Sequence, residues 1–140
     1  TLNLHCDLTF ATARTVLRTP FVDLGLVPEA ASSLLVPNLI GHQRGFALLC
    51  MGEGMTADEA VASGMIAKVV EEDALEAAVL DAATRLAAKP REALRISRAL
   101  LKPSRDAVLE RIREEGRLFA ERLRSDEARQ AFQAFMARKG

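Results

Sequence analysis

The spacing of apolar positions changes along this chain, and each spacing predicts a different element. Residues 4–12 run mostly apolar, with Thr and Phe among them, which suits a buried strand. Residues 14–17 have room for a second short strand. Pro20 interrupts the pattern, and Asp23-Leu24-Gly25 reads as a turn. Residues 30–35 predict a short helix that Pro37 ends or kinks, because proline has no backbone N–H to donate. A further helix is expected over about 41–51, with Phe46, Leu49 and Cys50 facing inward.

The middle of the chain carries the sharpest local signal. Thr56-Ala57-Asp58-Glu59 matches a capping box: the threonine hydroxyl accepts from the amide three residues on, and the glutamate reaches back. Gly64 is placed to end that helix in the left-handed conformation. Residues 65–70 then predict an apolar strand with Lys68 outward. From Asp73 onward, apolar residues recur at helical spacing with charges between them. One helix is expected over 73–88, with Leu75, Val79, Leu86 and several alanines on one face. A second starts with Pro90 in its first turn and stops before Pro103. A third is capped by Ser104 and carries Val108, Ile112 and Phe119 on one stripe, with Arg111 and Glu115 spaced to pair at i,i+4. Ser125 caps the last, whose apolar face is Ala128, Phe132, Phe135 and Met136. Four amphipathic helices in a row need a surface to cover, and part of that surface is expected to be another subunit.

Charge sharpens this division. The 140 residues amount to one domain's worth of chain, with 19 basic and 19 acidic residues. Residues 1–70 hold only Arg14, Arg18, Arg44 and Lys68 against Asp7, Asp23, Glu29, Glu53, Asp58 and Glu59. Most of the charge therefore lies in the later helices, and a boundary is expected at residue 72. Residues 1–72 form an apolar, loop-rich part and residues 73–140 a helical one.

The zero formal charge argues against a nucleic-acid binder, which needs basic residues to neutralise phosphates. Six Phe with no Tyr or Trp offer few base-stacking platforms. Two Cys are too few for a disulfide scaffold and form no zinc pattern. No apolar run is long enough to span a bilayer, and the first residues lack the features of a signal peptide. Arg138-Lys139-Gly140 is not a peroxisomal Ser-Lys-Leu signal, so a cytoplasmic location is the expectation.

Among candidate groups, Glu29 stands out. Its neighbours in Gly25-Leu26-Val27-Pro28-Glu29-Ala30-Ala31-Ser32-Ser33 are almost all small or apolar. A carboxylate so placed suits a general base, though an acid at a helix start also serves the helix dipole with no chemistry at all. His5 and His42 have no acid at pairing distance and read as structural. Asp7, in an expected buried strand, would need a partner. Cys6 and Cys50 read as core thiols. Ser32 and Ser33 lack a visible His–acid pair. Phe132 and Phe135 read as packing residues, although a face that ends in Arg138 and Lys139 also suits an anionic ligand. No phosphate loop, HExxH or CxxC motif is present, so no metal or bound cofactor is expected.

Two stretches carry a family resemblance. One is His5-Cys6-Asp7-Leu8 followed by Thr19-Pro20-Phe21-Val22-Asp23-Leu24-Gly25-Leu26-Val27-Pro28-Glu29; the other is Met55-Thr56-Ala57-Asp58-Glu59-Ala60 through Gly64-Met65-Ile66 to Val69-Val70. In order and spacing they resemble the crotonase superfamily of enoyl-CoA hydratases and isomerases, and Lys89-Pro90 with the helix bearing Arg95 and Lys102 fits it too. The Thr-Pro-Phe-x-x-Leu-Gly-x-x-Pro-Glu-x-x-x-Ser form looks like the Δ3,Δ2-enoyl-CoA isomerase branch, its peroxisomal-type members in particular. The resemblance implies an α/β fold: the C-terminal part of the crotonase spiral core, then an α-helical oligomerisation domain.

It also implies a chemistry. Glu29 would be the single base, shuttling a proton from C2 to C4 of a 3-enoyl-CoA. Phe21, Leu24, Leu26 and Val27 would line the acyl pocket, and Phe135 and Lys139 would also meet the substrate. A hydratase would use two glutamates, one of which falls at Phe21, a residue unable to activate water. The family's oxyanion-hole amides come from segments that would precede residue 1, so the isolated chain is expected to be a poor catalyst. A homotrimer or dimer of trimers is the implied assembly, with the coenzyme A thioester as substrate. Two alternatives stay open: an enoyl-CoA hydratase-like enzyme, and a non-catalytic oligomerisation module.

Overall fold

Helix α1 (Ser32–Ile40) and helix α2 (His42–Leu49) pack as a pair around which the core assembles. The computed structural model describes residues 1–137. The core joins Val36 and Ile40 of α1, Leu48 and Leu49 of α2, and Ala11, Met55, Ala60, Met65 and Ile66 from the surrounding segments. Pro37 lies inside α1 and does not end it. Proline removes one helical N–H, but burial of Val36 and Ile40 on either side outweighs that loss. The helix stops at Gly41, where φ is 84°.

Four strands of two residues each complete this part. Strand β1 (Phe10–Ala11) pairs in parallel with β4 (Lys68–Val69), and β2 (Val16–Leu17) pairs antiparallel with β3 (Met55–Thr56). The first expected strand is therefore much shorter than residues 4–12. Leu2–His5 forms a 3-10 turn instead. Asn3 there donates its side-chain amide to the Met65 carbonyl and accepts from the Thr9 hydroxyl, a local alternative to ladder pairing. The strand expected over 65–70 also shrinks. The amides of Met65 and Ile66 both donate to the Ala60 carbonyl and close the end of helix α3 (Ala57–Ser63).

Helix α3 matches its sequence signals. The Thr56 hydroxyl accepts from the Glu59 amide at 3.3 Å, and the Thr56 amide donates to the Glu59 carboxylate at 2.8 Å. Gly64 ends the helix with φ 81°. Lys68 is exposed, as its place in the strand predicts. In α2 the inward face is Gly45, Leu48 and Leu49. Phe46 is exposed instead, its ring centroid 6.1 Å from that of His42.

The later helices are α4 (Leu75–Ala87), α5 (Arg91–Leu101), α6 (Arg105–Leu123) and α7 (Asp126–Ala137). Neither α4 nor α5 buries a single residue, and Leu100 and Leu101 are 81% and 86% exposed. On α7 only Ala128 is buried, while Phe132, Phe135 and Met136 remain exposed. Their apolar faces are thus largely uncovered within the chain. No described helix is long and apolar enough to cross a membrane.

Asp7 is not a buried acid. It is exposed and joins α5 to the N-terminal segment through Arg98 (2.7 Å) and Lys102 (3.2 Å). Lys102 also donates to the carbonyls of His5 and Cys6. Cys6 is likewise exposed, because only two residues of this stretch are strand and the rest lies at the surface.

The hydrogen bond from Arg98, assisted by Lys102, holds the Asp7 carboxyl below its ordinary 3.8. The Thr56 amide and hydroxyl do the same for Glu59, whose ordinary value is 4.5. Both folded-state values lie below the unfolded ones, so each contribution is complete above 3.8 and 4.5 and fades as pH falls through the folded-state values. Urea midpoints measured from about pH 6 down to about pH 3 should fall. The double substitution Asp7→Asn, Glu59→Gln should flatten that slope.

Candidate active site

The loop that carries Glu29 is set by backbone hydrogen bonds at both ends. Val22–Leu24 form a 3-10 turn closed by Gly25 at φ 68°. The Leu26 amide then donates back to the Phe21 carbonyl at 2.8 Å. This turn buries Leu26 and sets Phe21 against the core, while Leu24, Val27 and Glu29 are half-buried. The structure therefore brings Phe21, Leu24, Leu26 and Val27 into one short segment with Glu29. Asp23, the other acid of this segment, is exposed and lies against Gly52.

Beyond Glu29 the backbone takes an unusual path. Ala30 and Ala31 both have φ 58°, a left-handed conformation that crowds the Cβ of an L residue. The Glu29 carboxylate accepts from the Thr1 hydroxyl at 2.6 Å, and its carbonyl accepts from the Ser32 amide at 3.0 Å. The Ala30 carbonyl accepts from His5 Nε2 at 2.9 Å. His5 thus holds backbone, in keeping with a structural histidine.

Helices α6 and α7 reach back onto this loop. Glu115, only 4% exposed, accepts from the Ala31 amide at 2.5 Å and from the Ser33 amide at 3.0 Å. Arg111 donates to the Ser33 hydroxyl at 3.0 Å, and Arg122 donates to the Gly25 carbonyl at 3.0 Å. The expected Arg111–Glu115 pair is replaced: Arg111 pairs with Glu114 at 3.1 Å, and Glu115 turns inward to cap α1. Two orphan amides at a helix N-terminus are a better match for a buried carboxylate than a solvated guanidinium is. The sequence carried a signal for this. Glu115 falls on the stripe of Val108, Ile112 and Phe119, where a charge must find a partner or be penalised.

Ser32 is fully buried, and its hydroxyl has no hydrogen-bond partner among the described residues. The Ser33 hydroxyl is held by Arg111, so neither serine is set up as a nucleophile. Ser125 caps α7 through the Ala128 amide at 3.1 Å. Phe135 lies on the exposed part of α7, apart in sequence from the Glu29 loop, and Lys139 lies outside the described residues. Among the described residues no group of three or more His, Cys, Asp or Glu could hold a metal ion. An open groove of about 390 Å³ runs between β1, β4 and α4, and another of about 290 Å³ between α2 and α3. Glu29 lines neither.

Gly25 tests the docking of α7. A Cβ there would stand 2.8 Å from the Ala128 Cα, and φ 68° disfavours any side chain. Gly25→Ala should lower stability by ~1–3 kcal/mol in urea denaturation. Ser32→Ala removes an unsatisfied buried hydroxyl and should be neutral or stabilising by up to ~1 kcal/mol in the same assay.

The comparisons agree on the family. A sequence profile described as enoyl-CoA hydratase/isomerase matches residues 1–140. Enoyl-CoA delta isomerase 2 of Rattus norvegicus is 32% identical over 95% of this chain and 34% of its own length. A probable enoyl-CoA hydratase of Rhizobium meliloti (strain 1021) is 27% identical over 99% of this chain and 54% of its own. The crystal structure of an enoyl-CoA hydratase/isomerase from Pseudoalteromonas atlantica T6c superposes with a TM-score of 0.94 at 35% identity. That match covers 98% of this chain and 56% of the other. The chain thus spans about a third to a half of the length of these proteins. It belongs to the enoyl-CoA hydratase/isomerase family and has the crotonase fold, over the part of that fold that it spans.

Proposed function

We propose that this chain carries the base of a Δ3,Δ2-enoyl-CoA isomerase and that Glu29 is that base. The observation that carries the reading is the lone half-buried carboxylate of the loop: Asp23 of the same segment is exposed, and Phe21 stands where a hydratase would have its second glutamate. Similarity to the rat delta isomerase over most of this chain supports the same choice. In the proposed reaction Glu29 removes a proton from C2 of a 3-enoyl-CoA. The electron pair moves into the thioester as a dienolate, and the protonated Glu29 returns the proton at C4. A double-bond shift adds no water, so one base suffices. Phe21, Leu24, Leu26 and Val27 would line the acyl chain, and Phe135 and Lys139 would contact the coenzyme A portion.

Dienolate formation also needs hydrogen-bond donors at the thioester oxygen. The resemblance puts these outside the 140 residues, and loss of even one such donor typically costs ~10²–10³ in rate. The 140-residue chain alone should therefore be nearly inactive. Residues 1–72 would then supply the base segment and residues 73–140 the assembly surface. The exposed apolar residues of α4, α5 and α7 support self-association through those helices; the assembly in this reading is a homotrimer or dimer of trimers, and its location the cytoplasm. A hydratase-like activity is the second reading, supported by similarity to the Rhizobium protein.

The assay uses the full gene product with 3-enoyl-CoA and with 2-trans-enoyl-CoA. The isomerase reading expects conversion of the first to the second and little hydration of the second. Glu29→Gln should lower kcat by ~10²–10⁴ with a small change in KM. Undiminished turnover in that variant would rule out Glu29 as the base, and rapid hydration would favour the second reading. Light scattering should report an oligomer; a monomer would count against assembly through residues 73–140.

A further inference from the structure

The peptide group that follows the base residue is held from both sides. It joins Ala30 to Ala31. Its carbonyl accepts from His5 Nε2 at 2.9 Å, and its N–H donates to Glu115 at 2.5 Å. The two partners come from opposite ends of the chain, 25 residues before Ala30 and 84 residues after Ala31. Both alanines flanking this peptide sit at φ 58°. Left-handed geometry costs roughly 1–2 kcal/mol for each L residue. Such a conformation persists only where the surroundings over-determine it. Rotation of this one peptide plane would relieve the strain at Ala31, and it would break both hydrogen bonds at once.

Glu115 does more than hold one amide. Its second oxygen accepts from Ser33 in the first turn of α1, and Arg111 fixes the Ser33 hydroxyl beside it. The carboxylate is buried, so its bonds act in a low dielectric and water does not compete for the amides. No substrate atom is required for any of these contacts. Ala30 directly follows Glu29, so this clamped peptide lies one residue from the Glu29 Cα and limits how far that Cα and its carboxylate can move.

We infer that Glu115 and His5 are positioning residues for Glu29: they clamp the Ala30–Ala31 peptide and so hold the carboxylate where it can reach a substrate proton. This inference rests on Glu29 being the base. Misplacement of a reacting group by about 1 Å costs up to ~10² in rate. The clamp therefore acts on kcat and leaves substrate binding largely alone.

The experiment compares four variants of the full gene product with 3-enoyl-CoA. Glu115→Gln keeps the side-chain volume but turns an NH₂ toward one of the two amides. It should lower kcat about 10- to 100-fold with KM within about twofold. His5→Ala removes the other side of the clamp and should act in the same direction. Adding Ala31→Gly to Glu115→Gln lets that residue hold φ 58° without Cβ crowding and should restore part of the lost kcat. Glu29→Gln is the fourth variant. If it abolishes turnover while folded Glu115→Gln keeps a normal kcat, the clamp is overturned and the base stands. If Glu29→Gln retains turnover, the base reading falls and the clamp falls with it. If Glu115→Gln does not fold, His5→Ala decides: lowered kcat at constant KM supports the clamp, and unchanged kcat overturns it.

Discussion

A single buried carboxylate ties the two parts of this chain together. Glu115 leaves the stripe of α6 and accepts the Ala31 and Ser33 amides at the start of α1. Hydrogen bonds to a charged group contribute ~1.5–3 kcal/mol each, and a buried carboxylate without them would be heavily penalised. The constraint therefore works in two directions. The loop cannot relax without stranding Glu115, and α6 cannot shift without stranding the first turn of α1. Arg122 on the Gly25 carbonyl and Ala128 against Gly25 extend the same brace to the beginning of the loop. A loop of small residues, two of them in left-handed geometry, is thereby held rigidly enough to present one carboxylate.

The other helices have a different character. α4 and α5 bury no residue within the chain, and α5 meets the N-terminal segment through the ion pairs of Asp7 with Arg98 and Lys102. Exposed pairs of this kind contribute ~0–1 kcal/mol and weaken with salt. Leucines at 100 and 101 face water. The chain is thus firmly determined around the Glu29 loop and open along α4, α5 and the end of α7. That contrast fits a fold whose matched structures are about twice as long. The apolar area left exposed is the part of the structure that most needs something beyond these residues to cover it.

Features that depend on neighbours within one helical turn were legible from residue order. The Thr56–Glu59 capping box, the Gly64 stop and the Ser125 cap each rest on partners three or four positions away. The Glu29 segment was legible as well, through its small neighbours and the motif that contains it, and so was the run of four helices α4 to α7. Strand lengths were not, because Asn3, Met65 and Ile66 spend their hydrogen bonds on turns and a helix end instead of a ladder. Apolar content alone cannot tell a residue that ladders from one that closes a turn.

Arg111 and Glu115 show where local order stops being informative. Their i,i+4 spacing permits an ion pair worth ~0.2–0.5 kcal/mol. The stronger partner for Glu115 is an amide 84 residues away, and only the packing of α6 against α1 brings it within reach. Asp7 follows the same logic: its ion pair is with Arg98, brought to it from α5 by the packed chain. Residue order settled where α3 begins and ends, where α7 is capped and which acid is a candidate base, since those signals lie within a few residues. Tertiary structure alone decided how that acid is held, since a buried charge takes whichever donors the packed chain offers it.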